Sequence, residues 1–219
     1  MYKICLVEDE KNLNNLIKSY LEREGYEVTC YYSGKDALNH TKDIFDLWIL
    51  DIMLGDDVSG YDVIKNIRNE SSVPIIFTSA RDQDLDKIMG LELGSDDYVT
   101  KPYSPKELVL RVGNLIKRTY SKSTEIIVYD EYKIDLDKRQ VTSNTKELSL
   151  TTLEFDLLIL FLKNKNKSFS RNNILEKVWG NDYYGSDRVV DDLVRRIRKK
   201  MPKLRLNTIY GFGYRLSWV

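Results

Sequence analysis

The chain has 219 residues, 42% of them apolar, with 34 basic against 34 acidic side chains, a balance that suits two packed domains and excludes a disordered or fibrous protein. No apolar run approaches the roughly 20 residues of a membrane helix, and the sequence enters its first strand without a signal-peptide pattern, so no membrane association and a cytoplasmic location are expected. One histidine, His40, excludes histidine triads and zinc sites, while Cys5 and Cys30 lack metal-ligand spacing and read as free thiols.

Tyr2 to Val7 reads as a strand that ends in Glu8-Asp9-Glu10. Asn12 to Glu24 sets Leu13, Leu16, Ile17, Tyr20 and Leu21 at helical spacing, closed by Gly25. A strand at 26–31 and a helix at 34–41 follow. Leu47-Trp48-Ile49-Leu50 then runs into Asp51 and breaks at Gly55-Asp56-Asp57, as suits a strand buried on both faces of a parallel sheet. A helix at 61–69, a strand at 74–78, a helix at 83–93, a strand at 97–100 and a helix from Pro105 to about Tyr120 complete the alternation. The fold expected for residues 1–120 is a flavodoxin-like, doubly wound five-stranded parallel sheet of the α/β class.

In such sheets ligands collect at the carboxyl ends of the strands. An isolated Asp there more often caps the next helix, but Asp51 is joined by Glu8 and Asp9 after the first strand, by Ser79 after the strand at 74–78 and by Lys101-Pro102 after the strand at 97–100. Three carboxylates in one pocket repel one another, and the usual remedies are raised pKa values or a bound hard cation; magnesium suits such a site because it accepts one or two carboxylates with waters and phosphate oxygens. Acids for a metal, a carboxylate nucleophile, a hydroxyl and an ammonium together suit phosphoryl transfer to Asp51.

Ser121-Lys122-Ser123-Thr124 is polar and aperiodic, and marks a linker at 121–124 between domains at 1–120 and 125–219. The charge changes there as well. Residues 1–120 carry 15 Lys and Arg against 21 Asp and Glu, and residues 121–219 carry 19 against 13, so the second domain is the one suited to a polyanion. Short strands at 126–129, 132–136, 140–142 and 146–148 read as an antiparallel meander, followed by helices at 152–163, 171–178 and 187–201 and a hairpin at 206–216. On the last helix Val190, Val194, Ile197 and Met201 form a core stripe. Arg188, Asp192, Arg195 and Lys199 lie opposite, with Arg196 and Arg198 on the flanks. A basic face of this kind suits the major groove of double-stranded DNA, although a merely solvated face has the same pattern.

Val-Glu-Asp-Glu at 7–10, Leu-Asp-Ile-Met-Leu at 50–54, Thr-Ser-Ala-Arg at 78–81 and Gly-Ser-Asp-Asp-Tyr-Val-Thr-Lys-Pro-Tyr at 94–103 resemble the receiver domain of two-component response regulators. The last helix with its hairpin resembles the winged helix-turn-helix domain of the OmpR/PhoB type. The resemblance implies that Asp51 takes a phosphoryl group from a sensor histidine kinase. Asp9, Asp51 and the Met53 carbonyl would bind Mg2+, with Glu8 acting through water. Ser79 and Tyr98 would be the switch pair, and Lys101, before a cis Pro102, would contact the phosphoryl oxygens.

It further implies a homodimer on activation through the fourth helix, fifth strand and fifth helix, with Lys87 to Glu107, Asp97 to Arg111 and Asp96 to Arg118 as cross-subunit pairs. Arg188, Arg196 and Arg198 would contact tandem DNA half-sites, Thr208 a phosphate, and Tyr210, where many relatives carry Arg, the wing's minor-groove position. The loop from Trp179 to Gly185 is a candidate contact for RNA polymerase, which its composition leaves open. Where the family usually has Pro four residues after the acceptor and Gly four after that, this chain has Gly55 and Ser59, with Gly60 one place later, which predicts a longer and more flexible loop. Two rival readings are a regulator that dimerises without phosphorylation and an aspartyl-phosphate phosphatase; the second is opposed by Met53, which stands where such enzymes need another acid.

Overall fold

The structure, a computed structural model, describes residues 1–80, 89–90, 92–120, 125–144, 146–180 and 188–218. The chain divides into two units, Met1–Thr119 and Tyr120–Val219. The expected linker at 121–124 and most of the expected 83–93 helix, Lys87 included, lie outside the described residues.

In the first unit β1 (Lys3–Val7), α1 (Lys11–Arg23), β2 (Glu27–Tyr31), α2 (Gly34–Asn39), β3 (Leu47–Asp51), α3 (Gly60–Glu70), β4 (Ile75–Ser79), β5 (Asp97–Thr100) and α4 (Pro105–Tyr120) follow in order. All strand pairs are parallel, in the order β2-β1-β3-β4-β5. Alternate side chains leave opposite faces of each strand. Ile4, Leu6, Leu47, Ile49, Ile76 and Val99 therefore pack with α1 and α4, and Cys5, Val7, Trp48, Leu50, Phe77 and Tyr98 with α3. All five residues of β3 are buried, each large apolar one worth about 1.5–3 kcal/mol of transfer free energy. This central strand fixes where Asp51 emerges.

The buried stripe of α1 is Asn14, Ile17 and Leu21, while Leu16, one of the apolar residues at helical spacing, is 45% exposed. Asn14 is there for its amide. Its Nδ2 donates to the carbonyls of Glu8 at 3.0 Å and Tyr31 at 3.2 Å, tying α1 to the ends of β1 and β2.

In the second unit β6 (Ile126–Tyr129), β7 (Tyr132–Asp135), β8 (Gln140–Ser143) and β9 (Lys146–Leu148) form an antiparallel meander. Then come α5 (Thr152–Leu162), β10 (Ser168–Ser170), α6 (Arg171–Trp179), α7 (Arg188–Lys200), β11 (Leu206–Ile209) and β12 (Gly213–Leu216). A capping box starts α5, in which the Glu154 amide donates to Thr151 Oγ1 and the Thr151 amide to Glu154 Oε2. Strand β10 is absent from the sequence expectation; it joins β12, making a three-stranded sheet of the hairpin. A Cβ at Gly213 would lie 2.1 Å from the Phe169 carbonyl oxygen, so this glycine admits β10, and the turn itself is made by Gly211 at φ +70°.

Candidate functional site

At the carboxyl ends of β1 and β3, Glu8, Asp9 and Asp51 offer carboxylate oxygens that all lie within 4.8 Å of one another. The Lys101 ammonium reaches them from the end of β5, donating to Asp51 Oδ2 at 2.6 Å and to Glu8 Oε2 and Oε1 at 2.8 and 3.0 Å. Asp51 Oδ1 accepts from the Met53 amide at 3.0 Å, so the backbone after β3 curls back over the acceptor. Ser79 and Tyr98 are both buried, and the peptide bond between Lys101 and Pro102 is cis. The expected acids, hydroxyl and ammonium are therefore gathered at one edge of the sheet.

One ammonium among three carboxylates leaves the pocket negative. Burial, and after the opposing Lys101 hydrogen bond the charge of Asp51, push the Glu8 carboxyl up to about 7. Burial opposes the charge on Lys101, but its bonds to Asp51 and Glu8 outweigh that and raise its pKa. An all-oxygen donor set with excess negative charge fits a hard divalent cation such as Mg2+. It also fixes a pH dependence. Glu8 binds its proton more tightly in the fold than in the unfolded chain, so its stabilising contribution is full below its ordinary value of 4.5 and is lost as pH rises through about 7. Without divalent ions Glu8→Gln is expected to gain about 2 kcal/mol over the parent at pH 8 and nothing near pH 4.5; urea unfolding at both pH values checks this, and a loss at pH 8 would contradict it.

Of the residues expected at a dimer face, Asp97, Glu107 and Arg111 are bonded to one another within one chain. Arg111 donates to Asp97 at 3.2 and 3.3 Å and to Glu107 at 2.9 and 3.1 Å. Asp96, expected on the surface opposite Arg118, is 1% exposed and takes the Ile75 amide at 2.9 Å and Arg68 at 3.1 Å. It lies before β5, where the first amide of β4 needs an acceptor, and that local need decides its direction. Asp96 is thus corrected from a surface contact to a buried anchor.

In the second unit α7 buries Val189, Val190, Leu193, Val194 and Ile197, and turns Arg188, Arg195 and Lys199 outward. Arg195 pairs with Asp192 on the same face. The flanking arginines instead face the protein. Arg196, its side chain 14% exposed, lies 3.4 Å from Asp192 and 3.8 Å from the buried Glu154, whose other oxygen holds Lys200 at 2.6 Å. Arg198 donates to the Leu206 carbonyl at 2.6 and 3.0 Å and to Thr208 Oγ1 at 2.9 Å. Arg196, Arg198 and Thr208, expected on DNA, are occupied because a buried carboxylate and a strand-end carbonyl beside the helix need donors. Tyr210, by contrast, stands 95% exposed at the hairpin tip. Asp191, which the sequence reading passed over, accepts from Arg171 and Tyr214, both at 2.7 Å, and locks α7 to α6 and β12. The loop proposed for RNA polymerase is outside the described residues from 181 on.

A family model for the response regulator receiver domain matches residues 4–113, and one for the C-terminal domain of transcriptional regulatory proteins matches residues 145–216. The transcriptional regulatory protein CssR of Bacillus subtilis (strain 168) is 50% identical over 98% of this chain and 98% of its own. The chain belongs to the response regulators of the OmpR/PhoB type. The response regulator SaeR of Staphylococcus aureus (strain USA300) is 37% identical over 99% of both chains. The crystal structure of the response regulator DrrB, a Thermotoga maritima OmpR/PhoB homolog, is 32% identical over 99% of both chains with a TM-score of 0.54. This response regulator therefore joins a receiver to a DNA-binding domain in a two-component system. None of its described helices is long and apolar enough to cross a membrane.

Proposed function

We propose that this response regulator is switched by phosphorylation of Asp51 and then binds paired DNA half-sites as a dimer. The observation that carries this reading is the placement of the Lys101 ammonium 2.6 Å from Asp51 Oδ2 with Glu8 and Asp9 alongside. In the proposed reaction an Asp51 carboxylate oxygen attacks the phosphorus of a phosphohistidine on a sensor kinase. The oxygen–phosphorus bond forms, the phosphorus–nitrogen bond breaks, and the electron pair returns to the imidazole nitrogen, which takes up a proton. Lys101 leaves Glu8 to follow the incoming phosphoryl oxygens, and the Ser79 hydroxyl donates to another. Asp9, Asp51 and the Met53 carbonyl, with Glu8 through water, would hold Mg2+, which when bound would supply positive charge to the phosphoryl oxygens.

Tyr98, already buried beside Phe77 and Tyr61, would transmit the change to the face that carries Lys87, Asp97, Glu107, Arg111 and Arg118. For that face to pair across two subunits, Arg111 must exchange Asp97 or Glu107 of its own chain for the partner's. Dimerisation then raises the effective concentration of the second α7 at a tandem site. The test is beryllofluoride with Mg2+ on the full chain. Sedimentation is expected to move from monomer to dimer, and affinity for a tandem site to rise at least about tenfold. A dimer before addition would favour the phosphorylation-independent reading, and no change in either measurement would overturn the switch.

A further inference from the structure

The loop between β3 and α3 is longer than the family pattern and was expected to be loose, yet it is fastened at both ends and in the middle. Gly60 lies so close to the acceptor that a Cβ there would stand 2.3 Å from the Asp51 carbonyl oxygen. Val58 rests on α2, where a Cβ at Gly34 would meet the Val58 carbonyl oxygen at 2.3 Å. Between them the Asp56 carboxylate takes three amides: Gly34 at 3.2 Å and Val58 at 3.3 Å on Oδ1, and Lys35 at 3.0 Å on Oδ2. The two α2 amides are orphan donors of a helix start, whose N-cap Ser33 hydroxyl is used by the Asp36 amide. The opposite side of the same turn faces the acid pocket. Gly55 packs on Asp9 so tightly that a Cβ would lie 2.9 Å from its Oδ2, and the Met53 amide bonds Asp51 at 3.0 Å.

We infer that Asp56 is a positioning residue for the cation site: by fastening the loop to the start of α2 it holds the 53–55 backbone against Asp9 and Asp51. The inference rests on the proposed Mg2+ site and deepens it. Residues 53 to 55 form no helix or strand, so their position depends on what anchors the loop. Asp57, beside Asp56, makes among the described residues only an exposed ion pair with Lys35 at 3.5 Å, its side chain 96% exposed, and serves as the internal control.

The experiment is calorimetric titration of the full chain with MgCl2, without any phosphodonor, together with amide NMR signals of Gly34 and Lys35. Asp56→Ala is expected to shift both amide signals and to weaken Mg2+ about tenfold, the usual cost of losing an outer partner of a metal site. Asp56→Asn keeps one acceptor oxygen and is expected to lose about threefold, less than the outer-partner range, and Asp57→Ala nothing. A purely structural anchor would lower the melting temperature and leave Mg2+ affinity alone; that result overturns the inference. Should Asp56→Ala not fold, Asp56→Asn alone decides, and an unchanged affinity is fatal. A parent chain that shows no saturable Mg2+ heat removes the cation site itself and this inference with it, whereas parent binding that both variants leave unmoved removes only the role of Asp56.

Discussion

Asp51→Asn is expected to take up no phosphoryl group from acetyl phosphate, while the parent chain is labelled in the presence of Mg2+. The substitution keeps the side chain's shape, so the Met53 amide can still donate to an oxygen there, but an amide is a poor nucleophile and carries no charge to bind a cation. Asp51 is 3% exposed and lies beside Lys101, while Glu8 is paired to the same ammonium and Asp9 is exposed at the mouth of the pocket. Transfer is therefore expected to fall at least about 10²-fold, some 3 kcal/mol of barrier. Intact-mass measurement after incubation reads the adduct directly. Equal labelling of the variant would move the acceptor to another residue and remove the basis of the proposed switch.

The second large effect lies on α7. Replacing Arg188, Arg195 and Lys199 together by Ala is expected to weaken DNA binding about 10²-fold near 0.1 M salt. Each lost phosphate contact removes roughly 0.9 from the slope of log affinity against log salt, so the slope should flatten by up to about 3. Arg196→Ala and Arg198→Ala should behave differently. The first leaves Glu154 and Asp192 short of a cation, and the second leaves the Leu206 carbonyl and Thr208 without their donor. Each is expected to cost about 1–3 kcal/mol of stability while the salt slope stays near that of the parent. Fluorescence anisotropy over a salt series, beside urea unfolding, separates the two groups. If Arg196 or Arg198 changes the slope and the outward three do not, the reading face has been assigned to the wrong side of α7.

Much of this was legible in the chain itself, for a physical reason. Strands buried on both faces are written as unbroken apolar runs, and here two such runs stop at acids, so Glu8, Asp9 and Asp51 could be brought together on paper. Lys101 and Ser79 followed because they end neighbouring strands. The positions that escaped are those whose direction depends on a neighbour's unmet hydrogen bond. Asn14 interrupts an apolar helix stripe, which was a usable signal, but nothing local says that its amide belongs to Glu8 and Tyr31. Asp96 and Asp97 are adjacent and identical, yet one is buried under Arg68 and the other meets Arg111. Asp56 and Asp57 divide in the same way. The wheel of α7 placed Arg196 and Arg198 on its flanks correctly, and what it lacked was the identity of the groups packed there. Strand β10 has three residues, two of them serines, too short to leave a period.

The bonds from Arg198 to Leu206 and Thr208 make α7, the proposed reading helix, and the hairpin a single stiff caliper. A duplex that engages both jaws has to match their opening by adjusting its own groove widths and curvature. Base steps lying between the jaws are then selected for how easily they deform, so operator preference should extend to positions that no side chain reaches.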